Sequence, residues 1–286
     1  GYDIDDFVGR FSFNLNVFGN LWEQVAKFRA ARKLWARNLK EKYGAKKPKN
    51  LFLRGLFGGG GYGLTKAQPE NNIMRGAYYA LAAALSGAQT IALCSYDEAY
   101  TIPTPHSALI SLRTLQLLMD EVGLRDTVDP LAGSYFIETL TKQMEEKIEE
   151  EMKKIEDIGG IVYAISTGYI QRLVARQAYE FEKGIQTGEL KKVGVNIYVE
   201  EEPQEVELHE YNYESAEKQI KSLKELRRTR NNREVTRTLK ELEEGVKAKK
   251  NVMPYLVDCC KAYATVGEMT NVFRDIYGEF EEPSLF

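Results

Sequence analysis

Histidine and cysteine are scarce in this chain of 286 residues, with two of the first and three of the second. His106 and His209 are far apart and make no metal-ligand spacing, which argues against a structural zinc site. Cys94, Cys259 and Cys260 are odd in number and two are adjacent, so they read as free thiols of a reducing cytoplasm rather than a disulfide framework. No apolar run approaches the length that spans a bilayer. The start, Gly1-Tyr2-Asp3-Ile4, has neither a methionine nor the basic-then-apolar order of a signal peptide, so the chain reads as a piece of something longer or a processed product. Net charge is -3 and no basic stripe with interleaved aromatics stands out, which argues against nucleic acid as a partner. What is present is ordinary for a soluble globular protein: 43% hydrophobic and 28% charged residues, in a length that allows one large domain or two small ones.

Strand-like, loop and helical segments alternate through residues 10 to 121. Phe11 to Val17 reads as a strand and turn, and Asn20 caps a helix to about Lys42, ended by Gly44. Leu51 to Leu53 is expected to be a strand, Asn72 to Ser86 a helix, Thr90 to Cys94 a strand, and His106 to Glu121 a helix. This order predicts βα units around a parallel sheet, with functional groups on the loops after the strands. Three such units cannot close a barrel, which takes about eight strands. From Glu138 the character changes. Ile137, Leu140, Met144, Ile148, Met152 and Ile155 step by three or four among glutamates and lysines, the pattern of one amphipathic helix. Further expectations are a helix over Ile170 to Gly184, a strand over Val193 to Tyr198, and an acidic loop over Glu200 to Glu207. Helices are expected over Ser215 to Lys247, Met253 to Ala264 and Gly267 to Tyr277. A boundary near residue 143 separates the βα part, 1–143, from a helical wrap, 144–286.

The most informative stretch runs from Arg54 to Thr65, with five glycines between Gly58 and Gly63. No side chain screens the backbone there, so a large flat ligand can lie directly on it. A flexible surface loop is the plain alternative. Gly58, Gly60 and Gly63 also spell GxGxxG, but Pro69 follows, no helix opens at once, and no acidic residue ends a strand about twenty residues on, so a dinucleotide fingerprint is rejected. Arg10 and Ser12 straddle Phe11. In extended backbone they share a side, where a guanidinium and a hydroxyl suit a phosphate or a polar thioester tail.

Together with Gln89 to Thr104 and Asp129-Pro-Leu-Ala-Gly-Ser-Tyr135, these segments resemble, in order and spacing, the large catalytic subunit of adenosylcobalamin-dependent acyl-CoA mutases, the methylmalonyl-CoA mutase family. The resemblance covers about Asp5 to the C-terminus. It implies an α/β fold, the C-terminal part of a TIM-like (β/α)8 barrel followed by a mostly helical region. It also implies an isomerase that rearranges the carbon skeleton of an acyl-CoA by radical chemistry: hydrogen abstraction, migration of the thioester group and hydrogen return. Residue by residue, it assigns Arg10 and Ser12 to the coenzyme A part of the substrate and Gly61 to the corrin ring. Glu98, Ala99 and Ile102 are assigned to the cofactor, and Gln89 more weakly.

In the family's arginine-x-histidine-x-glutamine-threonine-serine-glycine pattern, Arg54 and Gly61 are kept. Leu56, Gly58, Gly59 and Gly60 stand where the polar residues belong, and Tyr62 where a tryptophan does. The loss of those polar groups near Leu56 and Gly58 points to a bulkier or less polar acyl group, branched, alkyl- or aryl-substituted. The cobalt-ligating aspartate-x-histidine-x-x-glycine motif is missing, since Glu207-Leu-His209 is only an echo of it. The resemblance therefore implies two partners besides the acyl-CoA: a separate small cobalamin-binding subunit, and a chain or segment carrying the N-terminal half of the barrel. A non-catalytic structural subunit of a mutase heterodimer is the alternative that the changes at Leu56 and Gly58 allow.

Overall fold

A computed structural model describes residues 1–200 and 206–283. The chain divides into two compact units, Gly1–His209 and Glu210–Phe286. The first holds a three-stranded, all-parallel sheet in the order β1 (Phe13–Asn16), β2 (Gly55–Gly59), β3 (Thr90–Leu93). A short α1 (Ile4–Phe7) precedes it. Helices α2 (Leu21–Glu41), α3 (Asn71–Leu85) and α4 (Pro105–Asp120) follow the three strands in turn, so the expected βα alternation is present.

Local chemistry sets the element ends. The Asn20 side chain accepts from the backbone N–H of Trp22 and Glu23 and starts α2, and Thr104 caps α4 with Pro105 in its first turn. One sheet face is covered. Phe13, Leu15, Phe57 and Ile91 pack with Phe28 of α2 and with Tyr79, Ala82 and Ala83 of α3, and the Phe28 and Phe57 rings meet edge to face at 4.5 Å.

Two strand expectations fail. Pro48–Leu51 is a 3-10 turn, and the strand begins later, inside the glycines. The reason is steric. A Cβ on Gly55 would sit 3.0 Å from the carbonyl oxygen of Phe13, and one on Gly59 would sit 3.2 Å from Leu93 and 3.3 Å from Tyr79, so the closely packed strand needs glycine where the sequence suggested a loop. Val193 to Tyr198 is a compact turn. Gly194 has φ +79°, and the Asn196 amide donates to the carbonyls of Ile185 and Leu190 at 2.8 and 2.7 Å, which replaces a ladder with local bonds.

Helix α5 (Tyr135–Asp157) starts at Ser134 and lies along α2. Its seat is ionic: the buried Arg29 guanidinium of α2 bridges Asp129, in the preceding turn, and Glu138, the latter at 2.6 Å. Residue 143 falls inside α5, and the first unit runs on through α6 (Ile161–Ser166) and α7 (Tyr169–Thr187). The change at 143 is therefore one of surface character and lies within a packed helix. Residues 201–205 of the expected acidic loop lie outside the described residues.

The second unit contains α8 (Tyr213–Thr229), α9 (Asn232–Lys247), α10 (Met253–Lys261) and α11 (Val266–Tyr277). The single helix expected over 215–247 is two, because Arg230 is extended and the Asn231 side chain caps α9 by accepting from Glu234 N–H. Leu242, Val246 and Cys259 form its core, and a reciprocal Thr265–Glu268 capping box opens α11. No helix among the described residues is long and apolar enough to cross a membrane.

Candidate functional site

Strand register fixes the other sheet face. Asn14 pairs with Leu56 and Asn16 with Gly58, while Leu56 pairs with Thr90 and Gly58 with Ala92. Because Phe13, Leu15, Phe57 and Ile91 point to the helices, strand alternation sends Asn14, Asn16, Leu56, Gly58, Thr90 and Ala92 to the opposite side. No helix of the first unit contributes to a core there among the described residues.

The C-terminal edge of the sheet is built from two turns. Gly61–Gly63 forms a 3-10 turn after β2, and residues 95 to 101 fold back on themselves through Tyr100 and Thr101 N–H, both donating to the Asp97 carbonyl. The turns meet at Gly61. A Cβ placed on it would come within 2.9 Å of Glu98 Cγ, and one on Gly60 would run into the Asn16 amide at 2.5 Å. Cys94 directly follows β3 and is half-buried beside this pair. Burial and then the Glu98 carboxylate push its thiol up, while the Gly61 N–H acts in the other direction. Asp97 is buried, and neither carboxylate oxygen has a hydrogen-bond partner among the described residues.

The glycine turn is held from outside. Lys192 Nζ donates to the Gly63 carbonyl at 2.6 Å. Arg75 donates to Thr65 Oγ1, Asn72 Oδ1 and the Val193 carbonyl, each at 2.8 Å. The Tyr62 ring lies between Phe18 and Phe181, at 4.9 and 5.3 Å. Burial lowers the Lys192 ammonium, and the nearby Arg75 guanidinium acts the same way.

The family model described as methylmalonyl-CoA mutase matches residues 1–279. The large subunit of 2-hydroxyisobutanoyl-CoA mutase from Aquincola tertiaricarbonis is 37% identical over all of this chain and 51% of its own length. The methylmalonyl-CoA mutase of Rhizobium meliloti is 35% identical over 98% of this chain and 40% of its own length. For the human mitochondrial enzyme the figures are 33%, 98% and 38%. The chain belongs to the methylmalonyl-CoA mutase family. It spans about half the length, or less, of these relatives.

Residues expected to serve in this mutase-family site fall into groups. Gly61, Glu98 and Ala99 are brought together at the C-terminal edge. Ile102, 64% exposed, lies on the same loop, and Thr101 Oγ1 of that loop accepts the His209 backbone N–H at 3.2 Å. Leu56 and Gly58 lie on the open face. Arg10, Ser12 and Arg54 lie at the opposite, N-terminal edge, where Arg54 Nη1 donates to the Gly9 carbonyl at 2.7 Å. Arg10 closes a 3-10 turn rather than sitting in extended backbone, so alternation does not set its side. Gln89 immediately precedes β3 and so lies at the N-terminal edge, apart from Glu98 and Gly61. Sequence reasoning missed Asn14 and Asn16, which the alternation F-S-F-N-L-N announces. It also missed Arg75, Lys192 and Phe181, whose approach depends on chain folding that no local pattern encodes.

Proposed function

We propose that this chain is the C-terminal share of the catalytic subunit of an adenosylcobalamin-dependent acyl-CoA mutase, an isomerase working within a multi-chain, cytoplasmic complex. The observation that carries this reading is the close approach of Gly61 to Glu98 at the C-terminal sheet edge, where ligands of parallel α/β sheets bind. Side-chain-free backbone over Gly58–Gly61 suits a large flat ring, and any Cβ at Gly61 would enter that space. Gly61, Glu98, Ala99 and Ile102 would hold the cofactor there, with Gln89 contributing from the far edge. Adenosylcobalamin, when bound, supplies the radical that starts the rearrangement.

The chain's own residues bind and orient. Arg10 and Ser12, with Arg54 behind them, take the coenzyme A part at the N-terminal edge. Leu56 and Gly58 line the acyl pocket on the open face. The two ends of a short strand separate these tasks by on the order of 15 Å, so an extended thioester tail lies along the sheet. Parallel sheets are normally covered on both faces, and the open face supports an interior position in a (β/α)8 barrel. The remaining strands would come from the segment carrying the N-terminal half. A separate small subunit would bring the cobalt ligand. Residues 1–143 are then the barrel share and 144–286 the helical wrap.

Loss of the family's polar residues at Leu56 and Gly58 favours a branched, alkyl- or aryl-substituted acyl-CoA. The same loss would suit a non-catalytic structural subunit, but the retained Gly61–Glu98 pair favours the catalytic reading. Reconstitution with the other barrel segment, the small subunit and adenosylcobalamin, followed by mass analysis of acyl-CoA products, tests it. Isomerised product is expected, and cofactor binding without any turnover would favour the structural subunit.

A further inference from the structure

We propose that the outer face of α3 and the turn 191–198 form a binding site for a phosphate group, free or carried as an ester. Asn71, Met74, Arg75 and Tyr78 recur at helical spacing on one side of α3, away from the buried Gly76, Ala80 and Ala83. Lys191 and Lys192 stand across from them, and the six residues line a cleft of about 290 Å³. The cleft lies outside the sheet at its C-terminal edge, because α3 follows β2 there and Lys192 reaches the Gly63 carbonyl. Arg10, Ser12 and Arg54 are at the opposite edge, so on the reading above the phosphates of coenzyme A fall elsewhere.

Neutral oxygens alone answer the cations of this cleft among the described residues. A guanidinium has five N–H groups. Nη1 of Arg75 donates to Thr65 Oγ1 and Asn72 Oδ1, and Nη2 donates to the Val193 carbonyl. Its Nε–H and the second Nη2 hydrogen have no partner among the described residues. Together they form one edge of the fork, the geometry that takes two oxygens of an oxyanion at once. Lys192 gives one of its three ammonium hydrogens to Gly63, and Lys191 is exposed. Burial lowers Arg75, opposed by the Tyr79 phenol, and it lowers Lys192, reinforced by Arg75. No carboxylate acts on either, although Glu70 and Glu189 are close along the chain. Partly desolvated cations without a counter-charge are unfavourable, and a bound anion relieves them. Three positive charges favour a dianion over a single carboxylate. Met74 and Tyr78 are exposed on the same wall, which gives the apolar or aromatic body of an ester a surface to lie on. Because the Lys192 ammonium has two further hydrogens, an anion can bind without releasing the glycine turn.

The test is acetylation footprinting of the assembled enzyme, without substrate or cobalamin. Labelling is read by mass spectrometry at Lys191 and Lys192 and normalised to the exposed Lys221 of the second unit. Inorganic phosphate and phenyl phosphate are titrated against potassium chloride of equal ionic strength. Both phosphates should slow labelling of Lys192 to saturation, and chloride should not. Tighter half-saturation by phenyl phosphate identifies an ester as the preferred form, and an equal or weaker value identifies the free anion; both support the site. Lys191→Glu, at an exposed position, should raise the phosphate concentration that half-protects Lys192 by about tenfold or more. Protection matched by chloride, protection indifferent to Lys191→Glu, or no protection at all overturns the inference. None of these results bears on mutase activity, which the product analysis above tests by itself.

Discussion

Gly61 sits directly under the side chain of Glu98, so close that a Cβ at 61 would lie 2.9 Å from Glu98 Cγ. Two turns that follow different strands, β2 and β3, are thereby locked edge to edge, and the backbone between them is bare. The φ at Gly61 is not in the left-handed region, so an added side chain would displace only the exposed Glu98 side chain and would meet no backbone strain.

Gly61→Val should therefore leave the fold intact while filling the space over the turn. In the assembled enzyme we expect cobalamin affinity to fall at least about tenfold, read by cofactor titration, with the circular dichroism of the chain unchanged. Unaltered affinity would remove the turn from the cofactor's surroundings.

The pair Leu56→His and Gly58→Gln tests the acyl pocket. Restored hydrogen-bonding partners are worth on the order of 1–3 kcal/mol, roughly ten- to a hundredfold. Preference, measured as the ratio of kcat/KM values, should move by that amount toward methylmalonyl-CoA. A wild type that already handles methylmalonyl-CoA best would reduce the glycines to a packing requirement.

Arg29 is buried and serves Asp129 and Glu138 together. Arg29→Met keeps the bulk but strands two partly exposed carboxylates beside α2. The expected cost is about 1–3 kcal/mol, visible as a lower midpoint in urea. Equal midpoints for wild type and variant would mean that the bridge adds nothing over packing.

The sequence reading succeeded where the cause was local and failed where it was not. Asn20 announces the helix it caps, and the alternation of β1 follows directly from Phe13 and Leu15. The displacement of β2 into the glycines was hidden because it depends on Phe13, Tyr79 and Leu93, which approach from three separate elements. Of the candidate site, Gly61 and Glu98 were singled out by the family resemblance. Their contact was not, and neither was the placement of Gln89 at the far edge. Asn14 and Asn16 stood in plain view in the strand pattern, yet only the register gives them their neighbours, Leu56 and Gly58.

In the second unit, Arg230 bonds the Glu268 carboxylate, and that bond, with the Thr265 bonds, pulls the acid down to about 2. A lowered carboxyl stabilises the fold above its unfolded value near 4.5, and the stabilisation is lost as pH falls toward 2. Hydrogen exchange in α9 and α11 should accelerate relative to the first unit's core helices between pH 5 and about 2. Glu268→Gln should flatten that dependence. An unchanged slope would place the acid sensitivity elsewhere.

Among the described residues both outer strands of the sheet are unpaired and one face is uncovered, which equips it poorly to stand alone. Expressed by itself the chain should aggregate or melt without cooperativity, and gain a sharp transition with its barrel partner. A monodisperse monomer with a cooperative melt would contradict this.

The bond from Lys192 to the Gly63 carbonyl and the tilted contact of Tyr62 with Phe181 have a kinetic meaning. A run of glycines would ordinarily sample many shapes within nanoseconds, yet here its far end is moored to a helix that supplies no strand. Drift in residues 181–198 would then be felt first as wider excursions of the turn, and as slower capture of any ring that must find it flat, long before the fold itself gave way.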